Sequence, residues 1–217
     1  MKKIEIKEFG GPEILEIKNV DIGKPGQNEV LVKNLSIGIN YIDTYHRSGL
    51  YPIPLPSGIG LEACSIIEEV GSEVKLFKVG DRVTRASMPI GTYSEKQIIP
   101  EDKLVKVPDN ISDEVASCIT LKGITAEYLL HRTYQVKKGD KILYHAAAGA
   151  LGQIFCPWAN ALGAEIIGTV GSDEKIEIAK KNGCHHVINY NEKNFVEEVE
   201  KIVGKNGLDV VYDLSLI

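Results

Sequence analysis

From Lys141 onward, apolar runs of strand length alternate with segments of helical period, and that alternation constrains the fold more than any other feature. Strands are expected at Lys141–His145, Glu165–Thr169, Val187–Asn189 and Val210–Tyr212. Helices are expected at Gly149–Leu162, Asp173–Asn182 and Asn194–Val203. In the last of these, Phe195, Val199 and Ile202 fall at the i, i+4, i+7 spacing of one buried face. Strands joined by helices in this way form right-handed βαβ units and a parallel sheet. In the doubly wound order 3-2-1-4-5-6 these are the first four strands, and Val210–Tyr212 is expected to be an exposed apolar edge.

The first strand-to-helix turn reads His145-Ala146-Ala147-Ala148-Gly149-Ala150-Leu151-Gly152. A dinucleotide-binding fold places its pyrophosphate here, on the unpaired N–H groups of a helix N-terminus. The usual G-x-G-x-x-G appears as Ala147-x-Gly149-x-x-Gly152, so alanine stands in the first glycine position. That is acceptable if Ala147 keeps a negative φ. Gly149 lets backbone approach phosphate, and Gly152 lets helix approach strand. Taken alone the motif also suits a turn built only for packing.

An NAD site ends its second strand with Asp or Glu, which holds the ribose 2′-hydroxyl. Here the region reads Ile166-Ile167-Gly168-Thr169-Val170-Gly171-Ser172, and no acid ends the strand. Asp173 and Glu174 fall in the next helical turn. Ser172 and Lys175 are suited to a 2′-phosphate, one by a hydrogen bond and one by charge. A solvated helix lysine is the alternative for Lys175.

Before residue 108 the grammar is β. Short alternating runs at Ile4–Ile6, Leu15–Val20, Glu29–Ile37, Ala63–Val70, Arg82–Thr84 and Tyr93–Ile99 are separated by Gly, Pro, Asn and Asp. They suggest a compact, barrel-like antiparallel domain with one helical turn near Asn40–Ser48. Pro108-Asp109-Asn110 marks a boundary, which gives domains at 1–110 and 111–217. Ser112 then reads as an N-cap, with Asp113 and Glu114 in the first turn. The helix is expected to run to Leu121, break at Gly123, and be followed by another at Thr125–His131.

Net charge is -5, with basic residues scattered among acidic ones. That excludes a general affinity for nucleic acid or anionic membrane. No stretch approaches the roughly 18 apolar residues of a membrane span, and Met1–Gly11 has no apolar run of a signal peptide. A cytoplasmic protein is expected, with Cys64, Cys118, Cys156 and Cys184 as free, mostly buried thiols. A zinc-dependent alcohol dehydrogenase needs Cys, His and sometimes Glu around an open metal position. In the stretches that would supply them, Gly38–Asp43 and Gly60–Glu62, Asn40 and Leu61 stand where Cys and His ligands would be needed. His185 and His186 are adjacent, so their rings diverge on a strand. No metal is expected, and without a Lewis acid the chemistry suits an acceptor that spreads charge over its own π-system.

Several separate motifs now point the same way. The run Gly38-Ile39-Asn40-Tyr41-Ile42-Asp43-Thr44-Tyr45-His46-Arg47-Ser48-Gly49-Leu50-Tyr51 resembles the N-terminal signature of zeta-crystallin-like quinone oxidoreductases, a zinc-independent branch of the medium-chain dehydrogenase/reductases. So do Leu121–Thr125, His145–Gly149, Gly168–Gly171 and Val187–Tyr190, in the same order. The resemblance implies an α/β protein: a GroES-like β-rich N-terminal domain and a doubly wound Rossmann domain, with the active site in the cleft between them. It implies NADPH as cofactor and a small-molecule quinone or conjugated carbonyl as substrate. Asn40, Lys122 and Thr125 would lie at the nicotinamide end, and Tyr45 and Tyr51 would line the quinone pocket. Ala148, Gly149, Ala150, Leu151 and Gly152 would hold the pyrophosphate. Gly171, Ser172, Lys175 and Tyr190 would surround the adenosine end. No side chain is required as nucleophile, and Asp43 is expected to bond locally rather than act as an acid.

Two departures stand out. Ala150 occupies a position where the family commonly has Gly. After Val211-Tyr212-Asp213 the chain reads Leu214-Ser215-Leu216-Ile217 where the family continues for roughly a hundred residues. Both domains are therefore expected to be incomplete, and the edge strand through which family members pair is expected to be missing. Three functions compete: NADPH:quinone reductase, a same-fold enone or carbonyl reductase, and an inactive remnant that at most binds nucleotide.

Overall fold

A computed structural model describes residues 1–205 and 207–213; the expectations placed on Leu214–Ile217 lie outside them. The chain divides into two compact units, Met1–Leu121 and Lys122–Ile217.

The first unit is built from antiparallel strands. β1 (Lys2–Ile6) lies between β2 (Glu16–Asn19) and β4 (Ser57–Gly58) in a three-stranded sheet. A five-stranded sheet has the order β7-β3-β5-β6-β8, with β3 at Glu29–Gly38, β5 at Glu62–Val70, β6 at Arg82–Ala86, β7 at Lys96–Pro100 and β8 at Val105–Lys106. Inward residues Val30, Val32, Ile67, Val83, Ile99 and Leu104 form its core. The short strands β4 and β8 are not apparent in the sequence, since two residues carry no period. Helix α1 (Tyr41–Ser48) occupies the expected place and closes on Gly49, whose φ of 82° is the left-handed cap that glycine adopts freely.

Helix α2 (Asp113–Tyr128) corrects two expectations. It runs straight through Gly123 and is followed by a π-helical turn at Leu129–Thr133, not by a second α-helix. A glycine inside a helix costs about 1 kcal/mol relative to alanine, which weakens a helix without breaking it. The unit boundary also falls inside α2, past the expected 110/111. The first half of α2 packs back on the first unit: Thr84 Oγ1 donates to the Ala116 carbonyl at 2.9 Å, and Arg82 pairs with Asp113 at 2.7 Å. Ser112 caps the helix as expected, with its hydroxyl 3.3 Å from the Val115 N–H.

The second unit is a parallel sheet of order β11-β10-β9-β12. Its strands are β9 (Lys141–Tyr144), β10 (Glu165–Val170), β11 (His186–Asn189) and β12 (Val210–Tyr212), in the expected 3-2-1-4 arrangement. Helices α3 (Gly152–Ala161), α4 (Glu174–Lys181) and α5 (Phe195–Val203) connect them. Alternate residues serve two faces. Ile142, Tyr144 and Ile166 join Phe155, Cys156 and Ala159 of α3, while Leu143, Ile167 and Ile188 join Phe195, Val199 and Ile202 of α5. Phe155 stacks on Tyr144 at 4.4 Å and meets the Tyr212 ring edge at 4.7 Å. Among the described residues β12 pairs only with β9, and Val211 on it is half exposed. No described helix is long and apolar enough to cross a membrane.

Candidate functional site

β9 ends at Tyr144, and the chain turns through Ala146 before α3 begins at Gly152. Ala146 carries a φ of 58°, so the left-handed residue of this turn is an alanine. Ala147 avoids that region, as its place in the motif required. The turn is held by the Ala147 N–H donating to the Thr169 carbonyl and the Gly149 N–H donating to the Ala146 carbonyl at 2.8 Å. α3 starts later than expected, yet the Gln153 N–H already bonds the Gly149 carbonyl at 3.0 Å. A Cβ on Gly152 would stand 2.4 Å from the Ala147 carbonyl oxygen, so this residue is needed for close packing.

Beside the turn lies a pocket of about 130 Å³, lined by Ala146, Ala148, Gly149, Val170, Gly171, Lys175 and Tyr190. It gathers five of the expected cofactor residues: Ala148, Gly149, Gly171, Lys175 and Tyr190. A Cβ on Gly171 would meet the Tyr190 hydroxyl at 2.6 Å. Ala150, Leu151 and Ser172 do not line it; they flank it, and the Ser172 carbonyl accepts the Lys175 N–H at 3.1 Å. No carboxylate lines the pocket. Asp173, at the start of α4, has its Oδ1 2.9 Å from the donating Asn189 amide. Asn191 donates to the Gly171 carbonyl at 2.7 Å and so fixes the turn after β10.

The pocket fits a dinucleotide phosphate. It combines glycines where backbone can come close with the ammonium of Lys175, and the first turn of α3 follows Gly149 in the chain. Among the described residues the N–H groups of Ala150, Leu151 and Gly152 donate to no protein acceptor.

In the first unit, α1 carries the other expected residues. Asn40 precedes α1 and is buried, and its N–H donates to Asp43 Oδ2 at 2.9 Å. Tyr93 donates its hydroxyl to the same oxygen at 2.9 Å. Burial raises the Asp43 carboxyl above its ordinary range, against the pull of these two donors. Asp43 is thus a local hydrogen-bonder, as read from the sequence. Burial and the Asp43 charge together push the Tyr93 phenol up. Tyr45 and Tyr51 lie together, ring centroids 5.3 Å apart edge to face, with the Tyr51 N–H donating to the Tyr45 carbonyl. Lys122 and Thr125 stand three residues apart on α2, hence on one side of the helix.

Sequence reasoning missed Glu62. It is fully buried, and its carboxylate accepts from Asn40 Nδ2 at 2.9 Å and from the Leu121 N–H at 2.8 Å. The available signal was an acid inside the apolar run Leu61-Glu62-Ala63-Cys64. Gly38 lets this corner close, because a Cβ there would lie 1.9 Å from the Ser117 carbonyl oxygen.

Two family models match the chain: the alcohol dehydrogenase GroES-like domain over residues 26–109, and the zinc-binding dehydrogenase over residues 150–216. The quinone oxidoreductase of Pseudomonas aeruginosa is 48% identical over 98% of this chain and 66% of its own length. The 2-haloacrylate reductase of Burkholderia sp is 48% identical over 96% of this chain and 64% of its own. The crystal structure of Escherichia coli quinone oxidoreductase complexed with NADPH superposes with a TM-score of 0.95 at 48% identity, over 98% of this chain and 66% of that one. The chain belongs to the medium-chain dehydrogenase/reductase family. It spans just under two-thirds of the length of these relatives.

Zinc, which one family model carries in its description, does not suit this family member's residues. The Asn40 amide is a donor to Glu62, and Leu61 is buried and offers no lone pair. Among the described residues no three of His, Cys, Asp and Glu gather as a metal cluster.

Proposed function

We propose that this protein is an NADPH-dependent quinone reductase that works without a metal. The observation that carries the reading is the pocket of the second unit, where Gly149, Gly171, Lys175 and Tyr190 meet and no carboxylate intrudes. The likeness to an NADPH-complexed quinone oxidoreductase supports it. A reduced dinucleotide anchored by this pocket would supply a hydride from its nicotinamide, and the quinone would take up a proton from solvent to complete the reduction. Lys175 and Tyr190 bind the 2′-phosphate, with Ser172 beside them, and the Ala148–Gly152 backbone binds the pyrophosphate. Asn40, Lys122 and Thr125 orient the nicotinamide, while Tyr45 and Tyr51 offer apolar ring faces to the quinone. The four free cysteines accord with a reducing, cytoplasmic setting.

Lys175→Ala is expected to weaken NADPH binding by about 1–2 kcal/mol, the scale of one charge-assisted hydrogen bond, and to leave NADH binding unchanged. Fluorescence titration with both cofactors checks this; equal losses would mean that Lys175 does not read the phosphate. Purified protein is expected to hold no tightly bound zinc. Elemental analysis returning stoichiometric zinc that survives mild chelation would reverse that part of the proposal.

A second reading has its own support. One relative is a 2-haloacrylate reductase, which supports a conjugated carbonyl as the alternative acceptor. Steady-state NADPH oxidation with a panel of quinones and enones separates the two.

A further inference from the structure

The acid nearest the end of β10 is Asp173, two residues past the pocket's Gly171. A carboxylate near that strand end favours a ribose 2′-hydroxyl and repels a 2′-phosphate. Here it faces neither. Asp173 Oδ1 accepts from Asn189 Nδ2 at 2.9 Å, and Asp173 does not line the pocket.

Asn189 is buried at the end of β11, directly before Tyr190. Its other amide atom, Oδ1, accepts the Asn191 N–H at 3.1 Å. Asn191 in turn donates to the Gly171 carbonyl at 2.7 Å. One amide therefore ties the start of α4 to the turn that carries Tyr190, and a second ties that turn back to Gly171. Both a donor and an acceptor are needed on the side chain at 189, which only an amide supplies at this length.

We propose that Asn189 is a positioning residue that sets the choice between NADPH and NADH by holding the Asp173 carboxylate out of the phosphate pocket. The inference rests on the nucleotide role proposed above. Released from Asn189, Asp173 swings toward the pocket, repels the 2′-phosphate and accepts from a free 2′-hydroxyl instead.

The test is titration of the full chain with NADPH and with NADH. For Asn189→Ala we expect NADPH to bind about tenfold more weakly, the scale of one like charge brought near a phosphate at a protein surface, with NADH unchanged or tighter. Adding Asp173→Asn to that variant should restore most of the NADPH affinity, which a merely structural role of Asn189 would not allow. Should Asn189→Ala fail to fold, the near-isosteric Asn189→Leu, which removes the donor without adding a charge, should show the same shift. Equal losses for the two cofactors, or no recovery in the double variant, overturn the inference. Wild-type protein that binds neither cofactor removes the proposed function as well, whereas a wild-type preference for NADPH that the variants leave unmoved removes this inference alone.

Discussion

Gly152→Val is expected to abolish NADPH binding and to lower folding stability by about 3 kcal/mol, the upper end of over-packing penalties. The reason is backbone, not side chain. A Cβ at 152 would stand 2.4 Å from the Ala147 carbonyl oxygen, 2.7 Å from its carbon and 3.0 Å from the Ala146 oxygen. None of these atoms can rotate away, so α3 must slide or the turn must open. Either movement spoils the alignment of the Ala150, Leu151 and Gly152 N–H groups. Gly123→Ala is the matching control, because a Cβ there meets nothing within 4 Å. It should stabilise α2 by about 1 kcal/mol, the ordinary gain in a helix interior. Urea denaturation of the three proteins decides the matter. A Gly152→Val midpoint equal to wild type would show that the turn is more pliable than its contacts indicate.

Glu62→Leu is expected to cost about 2–5 kcal/mol, on the scale of about 1–3 kcal/mol for each buried donor that loses its acceptor. The carboxylate is wholly buried and accepts from both Asn40 Nδ2 and the Leu121 N–H. A leucine fills the space but leaves these donors facing hydrocarbon. Glu62→Gln retains an acceptor oxygen and should lose less than half as much. Equilibrium unfolding of both variants gives the comparison. If leucine proves no worse than glutamine, the carboxylate is not what organises this corner.

Elements with a long period are legible in the sequence alone. The order β11-β10-β9-β12 follows from strand-helix alternation, and the split of Leu143 and Ile167 from Ile142 and Ile166 follows from the two-residue repeat of a strand. Gly123 misled because propensity is local, while the contacts of Thr84 and Arg82 with α2 come from one strand, β6, about thirty residues away. That Gly149, Gly171 and Tyr190 come to one pocket was legible because they follow consecutive strand ends, where a doubly wound fold places ligands. Glu62 and Asn189 were not. Each acts through a partner distant in sequence, Asn40 and Asp173, and nothing in the spacing of an acid or an amide reveals what it will face.

Ala146 sits where glycine would be at ease, with φ at 58°. The left-handed region costs an alanine about 1–2 kcal/mol, whereas an unfolded chain with alanine has fewer conformations to lose than one with glycine, a gain of about 0.4–1 kcal/mol. The cost is the larger of the two, so alanine leaves this turn less stable than glycine would by up to about 1 kcal/mol. Compliance differs as well. With alanine the turn has few alternative shapes, and a phosphate arriving at it has little left to freeze. Glycine at 146 would raise the melting temperature slightly while making the turn softer, so that in the reading proposed above affinity falls as thermal tolerance rises.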